Sequence, residues 1–189
     1  MNRRDLLKLI SAATGTAMIG GTGVLAGCAI DGDSNASPAY RFNDDDVLWL
    51  DEVAETILPR TDTPGAKDAQ VGQFMTVFVN DCYTPEQQGI FHNGMDQLDA
   101  RAQQEYGSGF MSLSPEQRTE LVRTLDREAK TVAAAGGKPH YFTMLKQLTL
   151  FGFFTSKVGG TQALRFIAIP GRYDGEMPYE EGDRAWATT

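Results

Sequence analysis

Residue types able to do chemistry are sparse in this sequence, and their spacing limits what each could do. His92 and His140 have no partner at metal-ligand spacing. No Glu-x-x-His pairing occurs, which a di-iron helix bundle would need. Covalent haem would require Cys-x-x-Cys-His and an iron–sulfur cluster a cysteine-rich run, and neither exists. Gly107-Ser108-Gly109 is a poor imitation of the Gly-x-Ser-x-Gly nucleophile elbow and reads as a helix-to-helix loop. Gly21 to Ala26 fits the G-x-G-x-x-A dinucleotide turn, but that pattern has meaning only between a strand and a helix. His140 follows Pro139 at the start of an apolar helix and reads as a structural hydrogen-bonding residue. His92 lies among polar neighbours and is expected to be exposed, whereas Cys82 ends an apolar helical pattern and is expected to be buried. Carboxylates are many, and nothing singles out a pair. The side chains therefore point to no catalytic, cofactor-binding or metal site in this chain.

The chemistry that does stand out is an address. Arg3-Arg4 precedes a weakly apolar run from Leu9 to Ala26, the arrangement read by the twin-arginine translocase, which carries folded cargo. Leu25-Ala26-Gly27-Cys28 resembles a bacterial lipobox, so Cys28 is the expected site of acylation, with cleavage before it. Residues 1–27 are then a signal peptide, and 28–42 a lipidated cysteine with a flexible tether rich in small polar residues. The expected location is periplasmic and lipid-anchored; Ala29, which is not aspartate, favours the outer membrane in a Gram-negative host. Loss of Arg3, Arg4, Lys8 and Asp5 with the signal changes the net charge from −8 to −10. Such acidity argues against nucleic acid and against a basic lipid-binding patch, leaving the acyl chains to hold the membrane. With Cys28 acylated, Cys82 is the remaining thiol and no intrachain disulfide is available.

The elements that would position any site are helical, and the domain is placed at 43–189. Asn43 is an N-cap followed by Asp44, Asp45 and Asp46, and Val47, Leu50, Ala54, Ile57 and Leu58 keep helical spacing until Pro59. Val71, Phe74, Met75, Phe78 and Val79 form a second stripe. Thr84-Pro85-Glu86-Gln87 and Ser114-Pro115-Glu116-Gln117 each combine a hydroxyl cap, proline at N1 and glutamine at N3, opening helices to about Glu105 and Ala135. From Pro139 to about Thr155 the chain is apolar nearly all round, which suits the centre of a bundle or a protein contact surface. A short helix with Leu164 and Phe166 is expected after Gly159-Gly160, then an irregular tail (170–189) carrying Tyr173, Tyr179 and Trp186. The fold class is all-α: a small bundle of about five to six helices with an irregular C-terminal tail.

Three segments carry a resemblance: Leu150 to Ser156, Gly159 to Arg165, and Ile169-Pro170-Gly171-Arg172-Tyr173-Asp174-Gly175, with Arg184-Ala185-Trp186 as the ending. Together they resemble the gluconate 2-dehydrogenase subunit 3 family, and the N-terminal signal and the segment Leu48 to Pro59, an apolar helix closing at Ile57-Leu58-Pro59, also look like it. The resemblance implies a cofactor-free, non-catalytic small subunit of a periplasmic dehydrogenase acting on CH–OH groups. FAD would reside in a partner large subunit of the glucose–methanol–choline type, and a c-type cytochrome would accept the electrons. The small subunit would supply the export address for that flavoprotein. Phe153, Phe154, Arg165, Arg172, Tyr173, Asp174, Tyr179 and Trp186 are the residues expected to dock it. The competing readings are a stand-alone ligand-binding lipoprotein, with a pocket lined by Tyr141, Phe153 or Trp186, and an oxidoreductase in its own right.

Overall fold

The computed structural model describes residues 41–137, 140–169, 171–172 and 174–187. Arg3, Arg4, Cys28, the tether as far as residue 40, and Tyr173 lie outside the described residues. Five α-helices run through the rest: α1 Asp44–Ile57, α2 Val71–Cys82, α3 Pro85–Tyr106, α4 Pro115–Ala134 and α5 Tyr141–Thr155. No strand forms among the described residues beyond one isolated bridge, so the all-α class holds.

Each start follows from local chemistry. The Asn43 side chain accepts from the Asp45 and Asp46 amides at 2.8 and 3.0 Å, while Asp46 accepts from the Asn43 amide at 2.9 Å. Thr84 with Gln87, and Ser114 with Gln117, make the same reciprocal cap, satisfying amides that an α-helix leaves without internal partners. Gly107 ends α3 at φ +75°, a conformation that a Cβ disfavours. His140 caps α5, its Nδ1 accepting from the Phe142 amide at 3.2 Å, which fulfils the structural role expected for it.

Helix α5 is the hub, packing against α1, α2, α3 and α4. It buries Phe142, Leu145, Leu148 and Phe153, and its one fully buried hydroxyl, Thr149, donates to the Leu145 carbonyl at 2.8 Å. Around it stand Leu50 and Val53 of α1, Met75 of α2, Phe91 and Leu98 of α3, and Leu121 and Leu125 of α4. Burial of each such side chain stabilises by roughly 1.5–3 kcal/mol before entropy is counted. The α1–α2 crossing is close because Gly72 sits on α1, where an added Cβ would lie 2.6 Å from the Val47 carbonyl oxygen. The Gly72 amide donates to Asp51 at 2.7 Å, and burial still raises the Asp51 carboxyl pKa above its ordinary value.

Three sequence expectations change. Cys82 is exposed: it closes the α2 stripe in phase but lies at the helix end, where no other element covers it. His92 is half-buried, its ring 4.5 Å from that of Phe42 and 6.0 Å from that of Phe91. Burial lowers its pKa, with Asp46 and Asp96 pulling the other way. The short helix after α5 is a single π-type turn, Gly159–Ala163, and ends before Leu164, which is extended at φ −103°, ψ 174°. A Cβ on Gly159 would fall 2.0 Å from the Phe153 carbonyl oxygen, so the turn folds back on α5 only with glycine there.

Candidate partner-docking surface

The face of α5 turned from the core carries Leu150, Phe151 and Phe154 between the exposed polar residues Gln147 and Thr155. Leu150, Phe151 and Phe154 stay 37%, 48% and 40% exposed. The Phe151 ring packs 5.7 Å from Phe74 and 5.6 Å from Phe78 of α2, and Phe78 meets Tyr83 edge-on at 5.5 Å. A ridge of aromatic rings therefore runs along the α2–α5 seam, supported from beneath and open above.

Beyond the π-type turn the chain returns to itself. The Arg165 amide donates to the Ala185 carbonyl at 2.8 Å, and the Ala187 amide donates to the Arg165 carbonyl at 2.8 Å, pairing Arg165 with Trp186. The Arg165 guanidinium lies over the Trp186 ring at 4.7 Å and faces Asp183 at 3.7 Å, while Arg184 Nη1 donates to the Gln162 carbonyl at 2.7 Å. A Cβ on Gly160 would lie 3.8 Å from the Ala187 Cβ and 4.0 Å from the Phe154 carbonyl oxygen, which sets this clasp beside the α5 ridge. The clasp closes a loop over 166–185. Its exposed apolar residues are Phe166 (48%), Ile167 (47%), Ile169 (85%), Met177 (44%) and Tyr179 (73%). Within it, Arg172 pairs with Asp174 at 3.0 Å, and Asp183 accepts from the Glu180 amide at 3.2 Å.

The residues expected to dock a partner thus divide. Phe153 is corrected to a core residue, 2% exposed, because it lies on the α5 face turned to the bundle. Phe154, Arg172, Asp174 and Tyr179 are at the surface. Arg165 and Trp186 are half-buried and engaged with each other. Tyr173 is outside the described residues. Phe166, Ile167, Ile169 and Met177, which were not among the residues expected to dock, are exposed as well.

An open groove of about 600 Å³ lies elsewhere, between α1, α4 and α5. Its lining includes Phe142 and not Tyr141, Phe153 or Trp186. Several of its charges are paired: Arg118 with Glu52, and Asp126 with Lys146 at 2.6 Å and, from beside the groove, Lys130 at 2.8 Å, which lowers the Asp126 pKa. Arg118 is also spent on the Phe110 and Met111 carbonyls at 3.1 and 2.6 Å, stitching the α3–α4 loop down. Among the described residues no group of three or more His, Cys, Asp or Glu could hold a metal ion, and no helix is long and apolar enough to cross a membrane.

An apolar ridge beside a clasped loop is suited to binding protein. Residues 44–171 match the family described as gluconate 2-dehydrogenase subunit 3. The chain belongs to that family. The match starts at the first residue of α1 and stops inside the clasped loop, so Trp186 lies beyond it. No curated protein and no solved structure matches the chain. Membership in the subunit 3 family makes the chain an accessory subunit of a multisubunit dehydrogenase complex.

Proposed function

We propose that this subunit 3 member is non-catalytic and escorts a flavin-dependent large subunit of the glucose–methanol–choline type through twin-arginine export, then stabilises it at the membrane. Family membership over 44–171 carries the reading, and Arg3-Arg4 and Cys28 supply its address and anchor. A translocase for folded cargo is the route by which a partner already loaded with FAD can travel with a chain that holds the address. The acyl chains on Cys28 then tether the complex, at about 0.8 kcal/mol per buried methylene, and electrons leave through a c-type cytochrome.

Replacing both Arg3 and Arg4 by lysine tests this. Fractionation should find the dehydrogenase subunit and its flavin in the cytoplasm together with the variant chain. A dehydrogenase subunit still exported would carry its own address, and the escort role would be wrong.

A further inference from the structure

Irregular loops above about 12–15 residues are uncommon in compact domains and are usually functional when ordered. The loop over 166–185 is such a case: it leaves five large apolar side chains in solvent and is tied at its base. Resting on the accessory-subunit reading, we infer that this loop is the element that grips the dehydrogenase subunit, and that the Arg165–Trp186 clasp positions it. Ile169 and Tyr179, 85% and 73% exposed, are the anchors, since apolar and aromatic residues that become fully buried carry most of an interface's affinity. The clasp fixes both loop ends before binding, which lowers the ordering cost on association.

Charge defines the occupant further. Asp174, Glu176, Glu180, Glu181 and Asp183 flank Met177 and Tyr179 in sequence; Asp174 is paired with Arg172 and Asp183 faces Arg165, whereas Glu176, Glu180 and Glu181 are exposed, so the five acids outnumber the loop's two cations, Arg172 and Arg184. The matching face is therefore an apolar groove of the dehydrogenase subunit with a lysine- and arginine-rich rim. Phe154, beside the clasp, extends the contact along α5.

The test uses the tagged full-length chain, extracted gently from its own host, with the accompanying dehydrogenase subunit identified by mass spectrometry and quantified per chain. Ile169→Glu combined with Tyr179→Glu should lower the retained subunit on the order of 30-fold or more, with the thermal midpoint of the isolated chain unchanged. Trp186→Ala should lower it about 10-fold, and Trp186→Phe should restore most of the loss by returning a ring beneath Arg165. Retention by the loop variant, together with loss in Leu150→Glu/Phe154→Glu, would place docking on the helix ridge; the loop inference would fail and the accessory reading would stand. A dimer of the isolated chain that the loop variant dissolves would make a second copy the occupant and overturn the inference. If the wild type retains no dehydrogenase subunit, the accessory reading itself falls.

Discussion

His140 shows how one ring links sequence, cap and pH response. Its Nδ1 can accept the Phe142 amide proton only while that nitrogen is unprotonated, and burial lowers the His140 pKa, with Glu128 opposing. His92 is shifted in the same direction, also by burial. For both, the folded-state pKa lies below the unfolded value of about 6.5, so the unfolded chain protonates first as pH falls. Their contribution is fully present above that value and is lost as pH drops through the folded-state pKa values. The thermal midpoint should thus be lower at pH 5 than at pH 7.5. His140→Asn keeps an acceptor at the cap and should flatten part of the slope; an identical profile in that variant would assign the slope to other groups. Asp51 acts oppositely and in a more acid window, because its raised pKa favours the folded state as pH falls through the carboxylate range. The cap role of His140 was legible because it needs only the adjoining helix start. His92 was not, because its burial comes from Phe42, which approaches from far along the chain.

Helix starts were the most readable elements, since Thr84, Ser114 and Asn43 meet their partners within three residues. Ser114→Ala should cost about 1 kcal/mol in urea unfolding, while Ser114→Thr, which keeps both the acceptor for the Gln117 amide and the donor to Glu116, should stay near wild type. Equal losses in both would mean that the hydroxyl acts by something other than capping. Helix α5 was legible as apolar nearly all round, but which face turned inward was not: Phe153 and Phe154 are adjacent, and one is core while the other is surface. Cys82 failed for a related reason, since periodicity gives the phase of a side chain and not the cover at a helix end. The π-type turn left glycines as its trace, and the fold-back on Phe153 that requires Gly159 is a tertiary contact.

At the scale of the whole molecule, bundle and loop are separable. The buried apolar side chains come from α1 to α5 and the turns between them, whereas 166–185 is exposed throughout its described length. Removing residues 171–189 should therefore leave the helical circular dichroism and its melting nearly unchanged, while the dehydrogenase subunit is lost from the purified complex. A large fall in melting temperature would make the tail part of the core. The clasp was hidden in the sequence because Arg165 and Trp186 pair across a span without periodicity. It has a consequence for how such a protein can change over generations. Both ends of the loop are tied at one spot on a scaffold that the loop does not support, so residues can be gained or lost between them without repacking a helix. Recognition can then diversify by length as well as by side chain, with the bundle held constant.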